Sequence, residues 1–345
     1  MVRWRRSCGW TDDANVSAED VAEEPRRRRV LLALGGNAIA PAGTGGTAEE
    51  QTRNIARAMA LVAQLITDGL EVVITHGNGP QVGNLLLKNE LAKDVVPPMP
   101  LDWCVAQTQA TIGYQIITAL EHELEVRGDL STVVPVISRV EVAPDDPAWQ
   151  TPTKPIGPWI IDAGQVAARQ RDGQQFVQQE GRGWRRVVAS PEPIRLLEPM
   201  TIDVLLNAGA VVVANGGGGI PMVRNQAGLL VGVEAVVDKD LSAALLARQL
   251  DVDELVILTD VQAVAVDYGR PAQRWLGQVS TAELRALAAA GQFATGSMGP
   301  KVEAALRFTE QQRRPAIIAS LDDVVAAVHG RSGTRVVPDD QGPAT

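Results

Sequence analysis

The 345-residue chain has only two cysteines, Cys8 and Cys104, and neither sits at metal-ligand spacing. That excludes a disulfide framework and a Cys-based metal centre, and it fits a reducing compartment. No window approaches the roughly 18 uncharged apolar residues that a membrane span requires, so no transmembrane helix is expected. The early arginines Arg3, Arg5 and Arg6 are not followed by an apolar run, and the acidic stretch from Asp12 to Glu24 is wrong for a transit peptide. A cytoplasmic protein is the expectation. Basic charge is also in short supply: 32 Lys and Arg against 41 Asp and Glu leave a net charge of −9. Nucleic acid and anionic membranes both need a basic face, so neither is an expected partner, and a small molecule is. Within the basic set, lysine is the rare member. Only Lys88, Lys93, Lys154, Lys239 and Lys301 occur, so arginine is this chain's default cation.

What is abundant is glycine placed after apolar runs. Ala210 to Ala214 leads into Asn215 and four consecutive glycines, Gly216 to Gly219. Backbone without Cβ atoms can be approached closely and can aim several N–H groups at one anion, although a surface turn is an equal reading for an isolated run. Here the run has company. Val30 to Leu34 ends at Gly35-Gly36-Asn37, and Leu70 to Thr75 ends at His76-Gly77-Asn78-Gly79-Pro80. Between them, Thr47 with Glu50 makes a capping box, and Ile55, Met59, Val62 and Ile66 recur at helical spacing. The first 80 residues therefore read as a βαβ unit with parallel strands, in which ligands sit beyond the carboxyl ends of the strands. Three loops of this kind point to one anion site.

Strand and helix patterns alternate to the end of the chain, which predicts an α/β/α sandwich around an open, mostly parallel sheet. The proline-rich stretch from Glu141 to Pro193 interrupts it and reads as an inserted lid near residues 140–190. Residues 1–29 read as an extension outside the fold, 30–200 as one lobe with its lid, and 201–345 as a second lobe. Asp240 is the expected N-cap of a helix from Leu241 to Leu250.

Three lysines stand in punctuated contexts: Thr153-Lys154-Pro155, Asp238-Lys239-Asp240 and Gly299-Pro300-Lys301. A compact ammonium suits neutralisation of a moving phosphoryl group. Asp238 and Asp240 could orient these lysines or hold Mg²⁺, and Asp260, at a strand end, is either a turn former or a ligand on the nucleotide side. His76 suits a supporting hydrogen bond better than proton transfer. No residue cluster has metal-ligand spacing. A P-loop is absent, and Gly77-x-Gly79-x-x-x-Gly83 misses the dinucleotide fingerprint by one residue. That near miss keeps a dinucleotide-dependent oxidoreductase as a distant alternative.

In combination these motifs resemble the carbamate kinases of the amino-acid kinase superfamily, from Val30 to Pro338. The residues that carry the resemblance are LGGNA at 34–38, THGNGPQVGN at 75–84, PTKPIGP at 152–158, GRGWRRVV at 181–188, NGGGGIP at 215–221, GVEAVVDKD at 232–240, LTDV at 258–261 and GSMGPK at 296–301. Trp103 and Thr108 are less typical of that family, as is Gln262. The resemblance implies reversible phosphoryl transfer between ATP and carbamate, giving ADP and carbamoyl phosphate, run towards ATP within arginine metabolism. It also implies a Mg²⁺ requirement and a homodimer. By motif, Lys239 and Lys301 would contact the transferred group, Asp240 would hold them, and Lys154 would reach in from the lid. Gly35, Gly36, Asn37, Gly77, Asn78 and Gly79 would line the carbamoyl phosphate side together with Gly216 and Gly217. The lobe after Thr201 would hold the nucleotide, with Asp238, Thr259, Asp260 and Met298 on that side. A catalytically silent binding protein of the same fold is the alternative from a different class; retention of the three lysines and Asp240 argues against it.

Overall fold

The computed structural model of the chain describes residues 26–39, 46–294 and 297–341. Eight strands form the central sheet: β1 (Arg29–Leu34), β2 (Glu71–His76), β3 (Val133–Pro135), β4 (Val211–Val213), β5 (Glu254–Thr259), β6 (Gln278–Ser280), β7 (Ala316–Ser320) and β8 (Thr334–Val337). Their spatial order is β6-β8-β7-β5-β1-β2-β4-β3. Every neighbouring pair is parallel except β7 with β8. β1 explains the layering. All six of its residues are buried, and alternate side chains enter opposite cores. Val30, Leu32 and Leu34 pack with Ile55, Met59 and Val62 of the Ala48–Thr67 helix and with Ile112 and Ile116 of the Leu101–Val126 helix. Leu31 and Ala33 pack on the other face, with Leu246 of the Lys239–Gln249 helix and Leu306 and Phe308 of the Met298–Gln312 helix. The result is the expected three-layer sandwich. The capping box is present as well: Thr47 Oγ1 accepts from Glu50 N, and Glu50 accepts from Thr47 N.

Two boundaries differ from expectation. The body begins before Val30, because Arg29 opens β1 with its guanidinium buried. Arg29 donates to Glu71, to Asp203 Oδ1 at 2.8 Å, and to the Leu250 carbonyl at 3.0 Å. Arg26 pairs with Asp253 and Arg28 with Glu254, so residues 26–29 are tied to the fold, while 1–25 lie outside the described residues. The sequence pattern predicts a helix from Gln107 to Glu125, and the helix starts six residues earlier, at Leu101. Leu101, Cys104 and Val105 continue its buried stripe, and the Leu101 N–H donates to Glu234 Oε1 at 3.0 Å.

The proline-rich insertion is more regular than its composition suggested. Both its ends, Arg139–Val142 and Pro193–Leu196, join a second sheet with Ile220–Arg224 and Leu230–Gly232. The lid itself is an antiparallel sheet of Lys154–Ile160, Gly183–Val188 and Gln175–Gln179, with the Ala163–Arg171 helix between its first two strands in the chain.

Candidate active site

Loops from the carboxyl ends of β1, β2, β4, β5 and β7 meet at one cleft of about 670 Å³. Gly35 and Gly36 follow β1, Gly77 to Pro80 follow β2, Gly217 follows β4, Thr259 and Asp260 close β5, and Ser320 to Asp322 close β7. Two loops touch backbone to backbone: a Cβ on Gly77 would lie 2.9 Å from Gly36 N and 3.1 Å from Lys239 Cδ. Only glycine lets the first two strand ends approach each other and the lysine this closely. Two helix N-termini face the same space. Neither Asn78, before the Gly79–Ala92 helix, nor Ser297, before the Met298–Gln312 helix, caps its helix with its side chain. The positive end of each helix dipole is therefore left without a side-chain cap and open to an anion.

The lysines converge here. Asp240 holds Lys239 Nζ on Oδ1 at 2.6 Å and Lys301 Nζ on Oδ2 at 2.9 Å. Burial alone would raise the Asp240 carboxyl, but the two ammonium groups outweigh it and hold it below the usual carboxylate range. Burial lowers the Lys239 ammonium, and Asp240 opposes that shift. Asp240 is not the helix cap that its position suggested. The helix starts at Lys239, and Asp238 caps it, with Oδ1 accepting from Asp240 N at 2.9 Å and Leu241 N at 3.3 Å. This frees Asp240 to point into the cleft. The other oxygen of Asp238 receives Lys154 Nζ from the lid at 2.7 Å. One capping residue thus joins the lid to the helix that carries Lys239 and Asp240.

The glycine run is less open than a bare phosphate cradle. Gly216 to Gly219 are all buried, and of the four only Gly217 lines the cleft. Gly217 has φ of 68°, and a Cβ there would lie 2.2 Å from Asn78 Nδ2. Gly216 lies against His76 and Gln109 instead. His76 is kept neutral by burial, its pKa lowered to about 4, and its Nδ1 lies 3.1 Å from the Gly77 carbonyl. Three supporting residues were not assigned to the site from the sequence. Thr108 Oγ1 accepts from Asn78 Nδ2 at 2.8 Å. Gln109 spans the Ser138 and Gly216 carbonyls, and Ser242 Oγ donates to the Gly218 carbonyl at 2.9 Å. None carries a local signal, because each matters only through contacts more than 20 residues away. Of the other expected residues, the Asn37 side chain lies outside the described part. Met298 lines a neighbouring pocket of about 610 Å³, which shares Thr259, Asp260 and Ser297 with the cleft and adds Tyr268 and Phe293. Lys88 and Lys93 stand on the surface.

Glycine loops, open helix ends and ammonium groups locked to carboxylates define an anion-handling α/β protein equipped for group transfer between two adjoining pockets. The profile of the amino acid kinase family matches residues 28–320. The carbamate kinase of Thermococcus kodakarensis is 46% identical over 313 residues, spanning 90% of this chain and 99% of its own. That of Enterococcus faecium is 44% identical over 299 residues, spanning 86% and 94%. The solved carbamate kinase of Giardia lamblia bound to AMP-PNP superposes with a TM-score of 0.85 at 38% identity, covering 91% of this chain and 99% of that one. The chain belongs to the amino acid kinase family and, within it, to the carbamate kinases. Neither the silent binding protein nor the oxidoreductase gains support from these relatives.

Proposed function

We propose that this kinase transfers the phosphoryl group of carbamoyl phosphate to ADP, releasing carbamate and forming ATP, and that it catalyses the reverse step as well. The observation that carries the reading is the Lys239–Asp240–Lys301 cluster, which lines the cleft with the Gly36 and Gly77 loops, next to the pocket of Met298 and Tyr268 that shares Thr259, Asp260 and Ser297 with it. Carbamoyl phosphate would lie against the loops after β1 and β2, and the nucleotide in the second pocket. Lys239 and Lys301 would neutralise the oxygens of the transferred group, with Asp240 fixing both; Lys154 would add a third charge from the lid. The phosphorus–oxygen bond to carbamate breaks as the bond to the ADP β-phosphate forms. Carbamate leaves as an anion and attacks as one in reverse, so no general base is needed; alignment and charge neutralisation suffice. That is consistent with His76 being buried, neutral and outside the cleft lining.

Among the described residues no group of three His, Cys, Asp or Glu could cage a metal. Mg²⁺ needs none, since it keeps several waters and is held by substrate phosphates with one or two carboxylates. Asp260, in the cleft lining, fits that requirement, and the ion would offset charge on the phosphates. No helix among the described residues is long and apolar enough to cross a membrane. A cytoplasmic homodimer serving arginine metabolism completes the proposal, with two lobes on the two substrates, one running to residue 200 and including the lid, the other from residue 201. ATP formation from carbamoyl phosphate and MgADP tests it. Activity that requires magnesium is expected, and a folded protein without any would refute the assignment.

A further inference from the structure

We infer that Gly83 and Gly157 form a seat that positions Lys154 over the cleft, an inference that rests on the role proposed above for Lys154. Gly83 lies buried inside the Gly79–Ala92 helix, where glycine is less favourable than alanine. A Cβ at Gly83 would lie 2.5 Å from Gly157 Cα and 2.6 Å from Gly157 N. Those atoms are backbone, so no rotamer change relieves the overlap, and the lid strand would have to move. Gly157 itself takes φ of 70°, a left-handed conformation inside the Lys154–Ile160 strand.

The contact is tied to the site at both ends. The helix that carries Gly83 begins at Asn78, Gly79 and Pro80, which line the cleft one turn away. On the lid side, Ile156 is buried beside Val82, Leu101 and Val236, and two residues earlier Lys154 reaches Asp238 at 2.7 Å. Farther along, Gln174 Nε2 donates to Glu90 at 3.3 Å. One rigid helix thus fixes the substrate loop and the lid strand in a single frame, and the missing side chains set how close that strand lies. Gly83 is a positioning residue: it touches no substrate and acts through Lys154.

The test compares ATP formation from carbamoyl phosphate and MgADP in wild type, Gly83→Ala, Lys154→Ala and the double variant. A misplacement of about 1 Å can cost up to about 10²-fold, so Gly83→Ala is expected to lower kcat at least about tenfold. Its KM for ADP should stay within about threefold, and its thermal midpoint should move by no more than a few degrees, because the displaced lid contact and the stronger helix offset each other. The double variant should be no slower than Lys154→Ala to within about threefold, since two changes acting through one group do not multiply. Wild-type kcat in Gly83→Ala would overturn the inference. So would a double variant slowed by the full product of the single effects. A slow Lys154→Ala beside a fast Gly83→Ala sinks the seat alone, whereas a fast Lys154→Ala sinks the role of Lys154 and the seat with it.

Discussion

Lys301 and Lys154 end on aspartates of the same helix turn, at 2.9 Å and 2.7 Å, yet they belong to different parts of the molecule. Lys301 and Asp240 sit on core helices with side chains 12% and 5% exposed; Lys154 lies on the lid, 30% exposed. Charges in a poorly solvated pocket are strongly coupled, whereas a solvent-facing pair is screened and contributes little by itself. The core cluster should therefore behave as one unit whose parts cannot be removed separately. The lid pair should behave as an adjustable addition.

Asp240→Ala would break the core cluster most severely, because it strands two ammonium groups. Turnover should fall on the order of 10² to 10³ or more, with roughly 3 kcal/mol of stability lost, since removing one partner leaves buried charge uncompensated. Steady-state kinetics and denaturant unfolding check the two parts, and unchanged stability would mean the cluster is better solvated than its burial implies. Lys301→Ala should cost about 10² to 10³ in turnover but less stability, because Lys239 still pairs with Asp240. Equal destabilisation by both variants would blur the distinction. Lys154→Ala should slow turnover at least about tenfold while ADP affinity, measured by calorimetry, stays within about threefold. Lys154→Arg should restore only part of the rate, because a planar guanidinium cannot take an ammonium's place. Full restoration would show that charge alone matters at the lid.

The smallest effect on turnover is expected at His76, where the readout is pH-dependent stability. The folded protein binds a proton there only below about 4, the unfolded chain below its ordinary value of 6.5. Between those values the unfolded state holds more protons, so stability falls as pH falls, by about 3 kcal/mol across the window. In His76→Gln that share of the pH dependence should vanish; an unaltered slope in denaturant titrations would contradict it.

Much of this was legible in the residues. Continuous apolar runs such as Val30 to Leu34 announced buried parallel strands, and glycine directly after them announced close approach. Lysine scarcity singled out Lys154, Lys239 and Lys301, which the fold brings to one cleft. What failed was whatever depends on a distant partner. Asp240 looks like a cap until Asp238 is seen to occupy that position. The extent of the Leu101–Val126 helix depends on Glu234, and Arg29 looks like part of a charged extension until Glu71 and Asp203 surround it. The lid strands are short and partly exposed, so prolines masked their pattern.

The unity of the core cluster is tested most directly by ATP-forming turnover in Asp240→Ala, Lys301→Ala and the combined variant. If the two residues act on the transferred phosphoryl group as one unit, the combined variant should turn over within about threefold of the slower single variant. A combined loss equal to the product of the two single losses would contradict the account.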